Sequence, residues 1–363
     1  MSTSSVAEVL ASAQLLVTCG PGGVGKTTTA AALGLAAARA GRRVVVVTID
    51  PARRLADALG VAATAGNEPH LVDGVVDGPG SFSALMLDAE RTFDDLIRER
   101  AGSGAEALLR NRVYRGIAGS MAGAQEYMAI ERVHQLHHGG DYDLVVIDTP
   151  PSRHAIDVLT APDRLVLFLS HPIYRALAIP TRSFARITNA ASTAFLWTVK
   201  RLAGPKIVED IIEFFRSLSG MEAGLRQRAA EMSALLRSPS TAFVLVSSPR
   251  AEAIDEATFL AEALDTGGFH LGAIVVNMVH PTPAPLSPAL RRAHKAGSVT
   301  GPLAEQIAYH QALSMLAGAE QAELESLKAL AGGVALREIE LLDHDVHDVA
   351  ALTELGALLV AAP

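Results

Sequence analysis

Eight consecutive residues, Gly20-Pro21-Gly22-Gly23-Val24-Gly25-Lys26-Thr27, carry the densest chemistry in this sequence. They match G-x-x-x-x-G-K-[ST] in full, after an apolar run and before a stretch of good helix formers, which is the context the pattern requires. Each part has its own physical reason. The glycines let backbone N–H groups turn inward around an anion. A helix opening directly behind them brings its positive end to the same place. Lys26 supplies a point charge for β- and γ-phosphates and is read as catalytic as well as binding. The hydroxyl of Thr27 is a hard ligand for Mg²⁺, and Thr28 follows on the same turn. Gly20 through Thr28 therefore read as a cradle for ATP and its Mg²⁺. A merely structural glycine turn is the plain alternative, and the Lys-Thr pair decides against it.

Two aspartates stand where an α/β sheet places its ligands, at the ends of strands. Asp50 follows the run Arg43–Ile49 and Asp148 follows Leu144–Ile147. Asp148 suits an acidic group that holds Mg²⁺ through its water shell, and Asp50 one that orients the attacking water. Strand-end aspartates also cap helices. Two of them after buried strands in one phosphate-loop chain favour the functional reading.

The elements that must position these residues are legible in outline. Ala13–Cys19, Arg43–Ile49, Leu144–Ile147, Ala242–Val246, Ala273–Val276 and Arg337–Leu342 read as strands. Most are apolar runs without alternation, as expected of parallel strands covered on both faces. Helical stretches such as Thr27–Ala40 and Leu303–Ala331 lie between them. The expected fold is α/β, a doubly wound and mainly parallel sheet forming one domain over residues 1–363. Residues 91–138 also read as helical. Residues 162–236 form a run with helical periodicity and almost no strand signal, expected to be a helical insertion. His280–Pro288 is Pro-rich and reads as a loop. There is no internal repeat, and a single phosphate-loop motif argues against a fused tandem enzyme.

Composition narrows the function. The chain has 363 residues, 49% of them hydrophobic and 19% charged, enough to bury a sizeable core. The net charge of −8 and an aromatic content of 4% disfavour a nucleic-acid partner. Cys19 is the one cysteine. That excludes an intrachain disulfide framework and a CxxC zinc site, so no zinc is expected, and it fits a cytoplasmic location. Met1–Ala13 lacks the basic start of a signal peptide. The apolar stretch Ala30–Ala40 is far short of the about 20 residues that a membrane helix needs.

The phosphate loop, Asp50-Pro51-Ala52 with Leu55-Ala56-Asp57-Ala58, and Asp148-Thr149-Pro150-Pro151-Ser152-Arg153-His154 together resemble the arsenite-pump and guided-entry ATPase family. Gly123–Arg132 resembles the segment before that family's switch II strand, and Asp343–Asp348 the end of a bacterial branch. The matches run from Leu15 to Asp348. The resemblance implies an ATPase of the SIMIBI class of P-loop NTPases that works as a face-to-face dimer. It puts Asp50 in the position of the water-orienting aspartate of switch I, and Asn277 in that of the adenine-reading asparagine. A side-chain amide offers adenine both a donor and an acceptor; on the residues alone, Asn277 reads as a strand-end turn residue.

The departures are informative. Pro21 occupies the place of the family's signature lysine, which reaches the partner's phosphates across the dimer, so slow turnover or pairing with a lysine-bearing paralogue is expected. The several cysteines of arsenite-pump subunits are absent, which disfavours a three-thiolate metalloid site. In members that deliver tail-anchored proteins, the corresponding insertion forms a groove for a membrane helix. Here Ile211, Phe214, Phe215, Leu218, Met221 and Leu225, with Phe195–Trp197, fit such a groove for a hydrophobic client and membrane partner. They fit the core of an ordinary helix bundle equally well. His134, His137 and His138 read as a helix C-terminal cluster complementing the dipole. His344 and His347 among carboxylates read as a solvated loop or helix start rather than a metal site.

Overall fold

The β-branched runs pair as their composition demands. A computed structural model describes residues 5–49, 54–59, 67–100, 105–111, 114–115, 124–151, 153–171, 210–211, 213–214 and 221–361. In chain order these form α1 (Val6–Ser12), β1 (Leu15–Cys19), α2 (Lys26–Arg39), β2 (Arg43–Thr48), α3 (Arg54–Leu59), β3 (His70–Leu71), β4 (Ser81–Met86), α4 (Ala89–Arg100) and α5 (Ala105–Arg110). There follow α6 (Ala124–His138), β5 (Leu144–Asp148), α7 (Arg153–Ser170), α8 (Glu222–Leu236), β6 (Thr241–Ser247), α9 (Ala251–Thr266) and β7 (Leu271–Val279). The chain closes with α10 (Pro288–Lys295), α11 (Pro302–Ala331), β8 (Ala335–Glu340) and α12 (Val349–Val360).

The sheet has eight strands in the order β3-β4-β2-β5-β1-β6-β7-β8, and only the short edge strand β3 is antiparallel. The expected doubly wound sheet is thus present. Every residue of β1, β5 and β6 is buried. Alternate residues serve opposite faces. Leu16, Val44, Val46, Val146 and Val244 join a core with α1, α2 and α12. Leu15, Val17, Val45, Val47, Ile147 and Phe243 join a second core with α6, α7, α9 and α11.

Three local features were not expected. β3 and β4 have no counterpart among the anticipated strands; serines interrupt β4, yet Phe82, Ser83, Ala84 and Leu85 are all buried beside β2. The Pro-rich stretch after β7 ends in a helix, α10, whose N-cap Ser287 accepts from the Leu290 amide. Pro162, where the helical insertion was expected to begin, lies inside α7.

The helices form a third core of their own. Phe93, Leu96 and Ile97 of α4 meet Leu108, Tyr127, Met128 and Leu169, and Phe214, Met221 and Leu225 are buried among them. These three residues of the anticipated groove are therefore interior, as in an ordinary bundle. Phe195–Trp197, Phe215 and Leu218 lie outside the described residues, as does most of 162–236 beyond α7. The histidine cluster lies at the C-terminal end of α6 as expected, with His137 and His138 in its last turn, but burial works against the charge that would complement the dipole. Burial, and then the charge of His138, lowers the pKa of His134 and His137, which favours neutral rings.

Candidate nucleotide site

The loop hangs from the C-terminal end of β1, with β5 on one side and β6 on the other. Its glycines are set by space as well as backbone. Gly25 has φ +89°, and a Cβ there would come within 2.5 Å of Asn277 Nδ2. A Cβ on Gly20 would lie 2.0 Å from the Val246 carbonyl oxygen. The loop is thus pressed against the ends of β6 and β7 where no side chain fits.

Gly25 is the N-cap of α2 and offers no side-chain cap. The first-turn N–H groups of a helix lack intrahelical partners, which is what makes a helix start an anion site. This start borders a cavity of about 310 Å³ lined by Gly23, Gly25, Lys26, Thr27, Thr28 and Thr149, with further residues from α3 and from the segment before α12. Lys26 is buried, and its ammonium donates to the Pro21 carbonyl at 2.7 Å.

Asp148 is fully buried at the end of β5. Its Oδ2 accepts from Thr27 Oγ1 at 2.7 Å and from Thr48 Oγ1 at 2.9 Å. The sheet register causes this convergence, because Thr18 and Thr48 both pair with Asp148 across β1 and β2. Thr149 Oγ1 donates back to the Thr18 carbonyl at 2.7 Å and fixes the turn after β5. The Thr27 hydroxyl, the Asp148 carboxylate and the uncapped start of α2 form a hard-oxygen and N–H donor set that fits Mg²⁺ and a polyphosphate.

The anticipated residues fall into three groups. Gly20 to Thr28 and Asp148 come together. Asn277 lies beside them, but its Nδ2 donates to the Val24 carbonyl at 3.1 Å, and it is not among the described residues lining the cavity. Asp50 lies outside the described residues; the chain before it is held by the Ile49 amide donating to the Asp148 carbonyl at 3.0 Å. The residue-by-residue reading missed Asp57, Ala58, Thr149, Val346 and His347 on the cavity wall. Asp57, Ala58 and Thr149 sit in stretches that carry the family resemblance. Asp348 caps α12, accepting from the Ala351 amide at 2.8 Å, so this stretch is an exposed helix start as expected; His347 beside it is exposed and also borders the cavity.

A parallel sheet with this loop after a central strand, and an acidic residue closing the neighbouring strand, defines a P-loop nucleoside triphosphatase. The sequence profile of the anion-transporting ATPase family matches residues 13–296. An uncharacterized protein of Streptomyces coelicolor is 30% identical over 356 residues, 96% of this chain and 77% of its own. The ATPase get3 of Aspergillus niger is 27% identical over 264 residues, covering 72% of this chain and 71% of that protein. The ATPase GET3 of Paracoccidioides lutzii is 28% identical over the same length. The chain belongs to the anion-transporting ATPase family and is an ATPase of the arsenite-pump and guided-entry type. Among the described residues, no helix is long and apolar enough to cross a membrane.

Proposed function

We propose that the chain binds MgATP in this cavity and hydrolyses it, and that the cycle opens and closes a cytoplasmic dimer which handles a membrane-protein helix or another hydrophobic partner. The observation that carries the ATPase reading is the contact of Thr27 Oγ1 with Asp148 Oδ2 at 2.7 Å beneath an uncapped helix start. Thr27 would ligate Mg²⁺ directly and Asp148 through water, and the ion would neutralise charge on the β- and γ-phosphates. The chain's own groups do the rest. Lys26 exchanges the Pro21 carbonyl for phosphate oxygens. The loop amides hold the transferring group in line, and Asp50 orients the attacking water. Asn277, held through its Nδ2, keeps its carbonyl oxygen for the exocyclic amine of adenine. The dimer and its client rest on the family resemblance.

Pro21 favours a second reading of the same site. Proline carries no charge and no N–H. A trans-acting cation in comparable enzymes is worth about 10³–10⁵ in rate. The chain alone then turns over slowly and serves as one subunit beside a lysine-bearing paralogue.

Single-turnover hydrolysis tests both readings. Lys26→Ala should lose nucleotide affinity or turnover by about two orders of magnitude or more. Asp50→Asn should keep binding and lose hydrolysis, while Pro21→Lys should accelerate it. Equal turnover in Asp50→Asn and wild type removes the water-orienting role. A fast wild type that Pro21→Lys does not improve removes the slow-subunit reading.

A further inference from the structure

At the C-terminal end of α6, three side chains meet that the ATPase does not use. His134 and His138 are four residues apart, so they share one face of α6. Glu231 reaches them from α8. One donor atom from each of the three lies within 4.8 Å of the others. His134 Nε2 is 3.1 Å from Glu231 Oε2, and the two imidazoles stack with centroids 4.0 Å apart and planes at 24°.

The surrounding hydrogen bonds orient these groups as outer partners orient metal ligands. The Nδ1 of His138 lies 3.0 Å from the His134 carbonyl oxygen. A carbonyl can only accept, so Nδ1 bears a proton, and it is Nε2 that offers the lone pair when the ring is neutral. Gln227 Nε2 donates to Glu231 Oε1 at 2.9 Å, which leaves Oε2 turned to the histidines. Backbone carbonyls and side-chain amides in these positions fix ring tautomers and carboxylate orientation in metal sites. His134 is buried, while His138 and Glu231 are exposed, so an ion can enter from solvent.

We propose that His134, His138 and Glu231 form a site for a borderline divalent transition-metal ion such as Zn²⁺, with water in the remaining position. Two imidazoles and a carboxylate are a donor set that zinc takes. Tetrahedral ligands at 2.0–2.1 Å from the ion stand about 3.3 Å apart. The trio therefore closes on an ion by side-chain rotation together with a tautomer change of His134, whose proton, now between Nε2 and Glu231 Oε2, moves to Nδ1 and leaves the Nε2 lone pair for the metal. The expectation of no zinc rested on cysteines, and this set contains none. The ion would staple the C-terminal turn of α6 to α8.

Co²⁺ titration of the nucleotide-free full chain, followed by visible absorption and by Zn²⁺ competition, tests the site without using ATPase activity. One equivalent should bind with a tetrahedral-type d–d spectrum that Zn²⁺ bleaches. His138→Ala and Glu231→Gln, both at exposed positions, should each weaken binding by at least about tenfold, and Gln227→Leu by about tenfold. His137→Ala should bind as wild type does, because His137 lies outside the trio. Absence of saturable binding, or binding unchanged in both His138→Ala and Glu231→Gln, overturns the proposal. So does loss in His137→Ala with retention in His138→Ala.

Discussion

A thiol one residue before a phosphate loop invites metalloid or redox chemistry, but the surroundings of Cys19 withdraw it. The side chain is buried, and burial pushes its pKa up to about 12 against the opposing charge of Lys26. The thiolate is the nucleophile and the metal ligand, so this cysteine is inert at neutral pH, and alone it offers no multidentate site. ATP turnover should be indifferent to arsenite and antimonite. A stimulation abolished by Cys19→Ser would contradict this. Legibility at this scale follows distance along the chain. The loop and Asp148 could be read because each announces itself within a few residues of spacing. Val346 and His347 line the same cavity from far along the sequence, next to α12, whose Leu352, Leu355 and Leu359 share a core with α2. The Asn277 contact with Val24 was equally hidden, since which group an amide meets is decided by tertiary packing.

Most of the strands that were read from sequence are apolar runs; β4 escaped because Ser81 and Ser83 break its pattern, and pairing with β2 supplies what local composition lacks. The helices show the reverse case. Their periodicity was plain, but an apolar stripe does not say whether it faces a client or a neighbour. Phe214, Met221 and Leu225 face neighbours. What joins α6 to α8 there is partly ionic. Arg228 Nε lies 2.7 Å from Glu131 Oε1, Glu131 is 2% exposed, and Tyr127 donates to Glu131 Oε2 at 2.9 Å. Removing one member of a buried pair strands the other charge, at a cost of about 3–5 kcal/mol. Arg228→Ala should therefore lower stability in urea unfolding by that order. Replacing Arg228 by Met together with Glu131→Gln should cost distinctly less. Equal losses in the single and double variants would mean that packing, not charge, holds the helices.

Across the whole molecule, the two ends of the sheet have different work. The nucleotide groups gather at the C-terminal ends of the strands. At the opposite end Arg43 pairs with Asp143 at 2.7 Å, joining the starts of β2 and β5. Hydrogen bonds from the Arg43 side chain and backbone hold the Asp143 carboxyl down to about 2, against an ordinary 3.8. A depressed carboxyl pKa gives stability that is complete above the unfolded value and fades as pH falls through the folded one. The stability gap between wild type and Asp143→Asn should thus be steady at neutral pH and close between about pH 4 and pH 2. It should be small throughout, since both side chains are nearly half exposed. A gap independent of pH in acid unfolding would contradict the assignment. The strand order also governs how the chain is made. β1 is synthesised before both strands that flank it: Leu15 pairs with Val145 on one side and Thr241 on the other. Its loop is pressed against Val246 and Asn277, later still. Pairings so remote in sequence are slow to close. The phosphate loop of a nascent chain therefore emerges well before its walls are complete, since Val346 and His347 follow even β8, so recovery of nucleotide binding marks the end of folding and not its beginning.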